Sequence, residues 1–260
     1  MKIKDKIILV TGGANGIGRG LCERFFREGA EKIIVTDIDF ENANVVAKEI
    51  NGVAYKLNVA DEAEVQAVVK DVLDKFGRID LVVSNAGIGG EEGCLEVSNE
   101  SWQNIWEINV LSHLYLSRAV FPQMLARGDG YFLITASAAG LLTYPTAAPY
   151  SVTKHAAVAF AEYLAYSYAD KGLKVSCLCP QGVKTQLIAT KDGEPDNFLL
   201  AEAISVEECS QAVVESLEKE EFLILPHKQV ADYVVQKVSN YDKWLSWMSG
   251  LRSKILAERN

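Results

Sequence analysis

The chain has 260 residues, 49% of them hydrophobic and 23% charged, with a formal net charge of −9 and an isoelectric point near 5.0. That length supports one large core, and the acidic balance argues against nucleic acid and anionic membrane as partners, because both select basic patches. Residues 1–6 run straight into an apolar strand and do not read as a signal peptide, and no apolar run approaches the roughly 18 residues of a membrane span.

The cysteines, Cys22, Cys94, Cys177, Cys179 and Cys209, are odd in number and scattered. They read as reduced thiols of a cytoplasmic protein. Neither they nor His113, His155 and His227 show metal-ligand spacing, so no metal is expected.

Residues 7–10 form a β-branched run that reads as a buried strand. It enters a glycine-rich segment at 11–18, followed by a helical pattern ending near Gly29. Strand, glycine turn, helix is a phosphate-binding arrangement: glycines let the backbone approach the ligand, and the helix start offers free N–H groups. Residues 33–37 read as the second strand. Asp37 ends it, about twenty residues past the loop, where an acid can accept hydrogen bonds from an adenosine ribose. A carboxylate there repels a 2′-phosphate and so favours NAD over NADP.

A helix at 41–50, a strand at 53–57, a helix at 61–76 and a strand at 79–83 follow. This alternation predicts a doubly wound parallel sheet, an α/β Rossmann arrangement with helices on both faces. Asp37, Asn58 and Asn85 then share the carboxyl edge, where ligands bind. A long helix is expected at 100–125; within it Asn109 is an amide in an apolar stretch, which calls for a hydrogen bond to backbone or a held water. A strand at 130–135 delivers Ser137 to the same edge. Further strands are expected at 175–179 and 222–225, giving seven, with a helix at 205–219. Residues 186–204, with Gly193, Pro195 and Asn197, read as a flap over the site. The tail, 228–257, reads as a C-terminal amphipathic helical extension to a single domain of residues 1–260. Its stripe is Val234, Val238, Tyr241, Leu245, Met248 and Ile255, widened by Trp244 and Trp247. It is expected to dock on the body, with a subunit contact or a pocket wall as the alternative.

Tyr150 and Lys154 stand four residues apart at the start of an apolar helical run, so they share a helix face. A phenol beside an ammonium is a proton-transfer device: the positive charge favours the phenolate and lowers its pKa. No histidine is placed to activate Ser137, which argues against a hydrolase.

Taken in order, these motifs make the chain similar to the short-chain dehydrogenase/reductase family, over nearly all of residues 5–225. TGGANGIG at 11–18 matches the family's TGxxxGxG loop, and Ser84-Asn85-Ala86-Gly87 its NNAG segment. Asn109, Ser137, Tyr150 and Lys154 match its catalytic tetrad. The resemblance implies hydride transfer between a secondary alcohol or ketone and NAD, with Tyr150 as general acid/base and Lys154 lowering its pKa and holding the nicotinamide ribose. Ser137 would steady the substrate oxygen and Asn109 would hold a water. It implies cofactor contacts from Gly12, Asn15, Gly16, Ile17, Gly18, Asp37, Asn58, Val59, Asn85, Ala86, Gly87, Tyr150, Lys154, Pro180, Val183 and Thr185, and a dimer or tetramer.

Three positions depart from the pattern. Ser84 stands for Asn, Asn58 for Asp and Gln181 for Gly. Asn58 can still accept from the adenine amino group, and Gln181 shapes substrate choice. Substrate contacts are expected from Ser137, Tyr144, Tyr150, Gln181 and Leu187, and the apolar pocket residues favour a hydrophobic or aromatic secondary alcohol. A dinucleotide-sensing protein without turnover and a lyase or epimerase are the alternative functions; the intact tetrad favours turnover.

Overall fold

The computed structural model describes residues 1–189 and 199–258. Strand and helix alternate through β1 (Ile7–Thr11), α1 (Gly16–Arg27), β2 (Lys32–Asp37), α2 (Phe40–Glu49), β3 (Val53–Lys56), α3 (Glu62–Phe76) and β4 (Leu81–Ser84). The second half adds α4 (Asn99–Trp106), α5 (Ser112–Arg127), β5 (Gly130–Thr135), the short α6 (Ala139–Leu142) and α7 (Ala148–Tyr168). It closes with β6 (Leu173–Leu178), α8 (Val206–Lys219), β7 (Leu223–Ile224), α9 (Gln229–Ser239) and α10 (Tyr241–Ala257).

The seven strands form one sheet in the order β3-β2-β1-β4-β5-β6-β7, and every pairing is parallel. The order reverses between β1 and β4, which opens a crevice at their carboxyl ends. Side chains alternate across the sheet. Leu9, Val82 and Phe132 point into one core with Val69, Leu116 and Ala161 of the helices, whereas Val10, Val83 and Leu133 point into the other with Leu21, Val46 and Val213. Because both faces are covered, the central strands are unbroken apolar runs with no polar alternation.

Local chemistry fixes the ends. The Asp61 carboxylate accepts from the Ala63 and Glu64 amides at the start of α3, and Gly77, at φ 78°, terminates it. Ser205 and Glu208 cap α8 reciprocally.

Three expectations are corrected. The single helix expected at 100–125 is interrupted by a π-helical turn at Glu107–Leu111, which contains Asn109. The last strand is two residues long, not four. The tail stripe holds only in part: Trp244 and Ile255 are buried as expected, but Val238, Tyr241 and Leu245 are 61%, 53% and 59% exposed, and Val230, outside the stripe, is buried. The cause is Asn240, whose backbone is extended (φ −157°, ψ 91°) and whose side chain accepts from the Lys243 amide. It ends one helix and caps the next, so no single helical phase crosses it. Lys237 donates to the Leu141 carbonyl at 2.6 Å and fastens α9 to α6. Of the expected flap, Gly193, Pro195 and Asn197 lie outside the described residues.

Candidate active site

The glycine turn is shaped for close approach. Gly12 and Gly16 have φ of 65° and 54°, left-handed backbone that side chains disfavour. Thr11 ties this turn to the next loop. Its hydroxyl accepts from the amides of Asn85 (3.0 Å) and Ala86 (3.1 Å), and the Asn85 side chain donates back to the Thr11 carbonyl at 3.0 Å. Asn85 therefore acts partly as a brace for the loop. Gly18 lies behind it: a Cβ there would sit 2.1 Å from the Gly12 carbonyl oxygen. Its place in the motif is helix-to-loop packing, and it does not line the cleft.

The acidic corner sits at the end of β2. The Asp37 carboxylate accepts from the Ala14 amide at 3.0 Å and the Asp39 amide at 3.0 Å. Its position is thus fixed by the glycine turn itself. Asn58, one strand over, accepts from the Ala60 amide through Oδ1 at 3.1 Å.

At the other end of the cleft, β5 and α7 bring the polar groups together. Ser137 follows β5; its hydroxyl accepts from the Ala139 amide at 3.1 Å and shares the cavity wall with Tyr150. Lys154 lies one turn along α7 from Tyr150, 4% exposed, with Nζ donating to the Thr135 carbonyl at 3.1 Å and 5.7 Å from the Tyr150 ring centre.

Burial dominates the titration of this pair, and here the expectation of a lowered tyrosine pKa is corrected. Desolvation pushes the Tyr150 phenol up, against a smaller downward pull from the Ser137 hydrogen bond. Desolvation also pushes the Lys154 ammonium down, to about 8. In the protein without dinucleotide, withdrawal from water outweighs the attraction between the two groups.

Asn109 makes the backbone hydrogen bonds that were one of its two expected roles. Its Oδ1 accepts from the Ile88 amide at 2.9 Å, and its Nδ2 donates to the Ile88 carbonyl at 2.9 Å and to Thr153 Oγ1 at 3.3 Å. The amide is fully buried and bonds protein on both sides, so the side chain clasps the loop after β4 and does not face the cleft.

One continuous cavity of about 960 Å³ joins these regions, at the top of the roughly 300–1,000 Å³ range of small-molecule sites. It is lined by Gly12, Asn15, Gly16, Ile17, Asp37 and Asn58, then by Val59, Asn85, Ala86 and Gly87, and by Pro180, Val183 and Thr185. Ser137, Tyr144, Tyr150, Lys154, Gln181 and Leu187 complete the set. Of the residues expected from the sequence, only Gly18 and Asn109 stand outside this lining.

Residues 6–195 match the family model described as short chain dehydrogenase. The chain belongs to the short-chain dehydrogenase family. It is 33% identical to a cyclohexanol dehydrogenase of Acinetobacter sp. (strain SE19), over 72% of this chain and 77% of that protein. Identity to the 3-oxoacyl-[acyl-carrier-protein] reductase FabG of Escherichia coli (strain K12) is 30%, over 78% of this chain and 83% of the relative. Among solved structures, a short-chain dehydrogenase from Streptomyces avermitilis superposes with a TM-score of 0.82 at 25% identity, covering 96% and 98% of the two chains. A short-chain dehydrogenase/reductase from Burkholderia phymatum in complex with NAD superposes at 0.83 and 24% identity, covering 93% and 96%. The protein is accordingly an oxidoreductase by family.

The structure adds contacts to this short-chain dehydrogenase site that the sequence reading did not foresee. Ser84, the departure from the family motif, is hydrogen-bonded to His113 Nδ1 at 2.5 Å, fully buried. Desolvation, with the charge of Lys154, pushes that imidazole down to about 3, so it is neutral. Gln181 is held on two sides. Its amide donates to His227 Nδ1 at 3.2 Å, and its side-chain oxygen accepts from Gln229 Nε2 at 3.1 Å. The tail is also more than docked: Tyr233, Trp244, Trp247, Met248 and Leu251 line the cavity. No residue spacing announces these contacts, because each joins segments far apart in the chain.

Proposed function

We propose that the protein transfers hydride between a secondary alcohol or its ketone and NAD, with Tyr150 as the general acid/base. The observation that carries this reading is that Ser137, Tyr150 and Lys154 stand together on the wall of the cavity that also holds the glycine turn and Asp37. The dinucleotide fits the donor set. The left-handed Gly12 and Gly16 leave backbone open to a pyrophosphate at the start of α1. The Asp37 carboxylate stands where ribose hydroxyls would donate to it. Thr185 packs over the turn, its Cγ2 only 3.2 Å from where a Gly16 Cβ would be.

When bound, NAD supplies the hydride-accepting nicotinamide. The chain's own groups do the rest. Ser137 donates to or accepts from the substrate oxygen and keeps it beside the phenol. In oxidation Tyr150 takes the hydroxyl proton; in reduction it returns it. The upward push on its pKa keeps Tyr150 protonated before the cofactor arrives, the form needed to act as an acid. Lys154 places a positive charge below the ring and steadies the phenolate once formed. Asn109 fixes Ile88, and with it the loop that closes the cleft above β4. Gln181, held by Gln229 and His227, presents its side chain at the substrate end.

A panel of secondary alcohols with NAD, followed through the nicotinamide absorbance, tests this reading. An absorbance change dependent on both alcohol and enzyme is expected. Its absence across the panel, or product of unchanged oxidation state, would instead favour a sensor or a non-redox enzyme.

A further inference from the structure

The cavity does not stop at the reacting end. Ala138, the neighbour of Ser137, packs with Leu142, Val230 and Trp244 in one buried apolar cluster, against which Tyr233 and Met248 lie. The rings continue outward. Tyr144 meets Tyr150 edge-on with centres 6.2 Å apart. Trp244 and Trp247 are 4.9 Å apart, and Tyr233 stacks on Trp247 at 6.5 Å with planes inclined by 29°. Trp247 is half exposed although it lines the cavity, so part of a large apolar ring is left uncovered among the described residues.

Charge points the same way. Among the described residues that line the cavity, Lys154 is the only cation, and it lies under Tyr150. The acids are Asp37 at the ribose corner, with Glu92 and Glu202 elsewhere on the wall. A carboxylate or phosphate carried at the outer end of a substrate would meet these acids and, among the described lining residues, no cation but Lys154.

We propose that the C-terminal helix pair builds a distal subsite for a planar, uncharged hydrocarbon group, aromatic or fused alicyclic, on the substrate oxidised or reduced at Tyr150. This inference rests on the hydride-transfer reading for the reacting end and adds the chemistry of the far end. Aromatic rings attract one another edge-on or offset at centre separations of roughly 4.5–7 Å. The exposed part of the Trp247 ring offers such a contact to a ligand, and Met248 adds a polarizable thioether that adapts to ring edges. The family match covers residues 6–195, so Ala138, Leu142 and Tyr144 of the subsite lie within it and Tyr233, Trp244, Trp247 and Met248 lie beyond it.

The test uses the NAD-saturated full-length protein carrying Tyr150→Phe, so that binding is read without turnover. Calorimetry measures 1-(2-naphthyl)ethanol and the anionic 3-hydroxybutyrate. Trp247→Ala is expected to weaken the naphthyl alcohol at least tenfold, and Trp247→Phe to recover most of the loss. Leu245→Ala, on the exposed side of α10, is expected to change it by less than twofold. In the Tyr150 protein, the ratio of kcat/KM for 1-(2-naphthyl)ethanol over 2-butanol is expected to fall at least tenfold with Trp247→Ala. Naphthyl binding that is absent or indifferent to Trp247→Ala, or 3-hydroxybutyrate binding equally well, would overturn the subsite. Binding weakened by Trp247→Ala, with no turnover of any alcohol by the Tyr150 protein, would leave the subsite standing and remove the hydride-transfer reading.

Discussion

Lys154→Met separates the catalytic value of the buried ammonium from its cost to the fold. The side chain is withdrawn from water and keeps one hydrogen bond, to the Thr135 carbonyl at 3.1 Å. Its pKa falls from 10.5 to about 8, chiefly through desolvation. A gap of about 2.5 units corresponds to roughly 3 kcal/mol of destabilisation while the group is charged in both states. The sign follows from proton uptake. Between about pH 8 and 10.5 the unfolded chain binds the proton more tightly than the folded one, so stability rises with pH across that window. Below pH 8 the whole cost is present; above 10.5 it is gone.

Methionine keeps the length and polarizability without the charge. The lost hydrogen bond returns about 1 kcal/mol of destabilisation, leaving a net gain of about 2 kcal/mol near pH 7. For a chain of this size that is a rise in Tm of roughly 4–8 °C at 2–4 °C per kcal/mol. The assay is thermal or urea unfolding of both proteins without dinucleotide at pH 7, 9 and 10.5, reading the difference between them so that other titrations cancel. The advantage of the variant should shrink steadily as pH rises, while its turnover is lost at every pH. A variant less stable than the parent at pH 7, or a difference that does not move with pH, would refute the burial argument.

Other substitutions test other parts of the cleft. Asp37→Ser removes the carboxylate that repels a 2′-phosphate and should raise the NADP-to-NAD ratio of kcat/KM by more than tenfold; a ratio unchanged within twofold would contradict the assigned ribose corner. Gly18→Ala drives a methyl group to 2.1 Å from the Gly12 carbonyl. Dinucleotide binding should drop more than tenfold in titrations, with a lower Tm, because the glycine turn must shift; binding equal to the parent would show that the turn tolerates displacement.

Much of this was legible in the chain itself. Both-faced burial produces apolar runs at β1, β2 and β4, and turn-forming residues follow each of them, so alternation and the functional edge can be read from local pattern. Gly12, Gly16, Asp37, Ser137, Tyr150 and Lys154 fall on that edge because they sit at strand ends or at the start of α7. Contacts between distant segments are not written in any window. Ser84 with His113, and Gln181 with Gln229, join residues 29 and 48 positions apart. Asn109 stood out as an amide in an apolar run that called for a hydrogen bond, but nothing in helical periodicity names its partner, Ile88, 21 positions away. The tail failed differently. Its residues are amphipathic on either side of Asn240, but that residue resets the phase, and a stripe drawn through it takes in the exposed Val238, Tyr241 and Leu245 and leaves out the buried Val230. The pKa order also reversed, because sequence shows the neighbouring charge but not the depth of burial.

Tyr150→Phe bears most directly on the account. It removes one oxygen and leaves the ring, the edge-on contact with Tyr144 and the helix intact. With the best secondary alcohol, kcat should fall by at least a thousandfold, while the dissociation constant for NAD stays within about threefold of the parent. A variant that keeps most of its turnover, or that loses NAD affinity in step with activity, would contradict the assignment of that hydroxyl as the group that moves the proton.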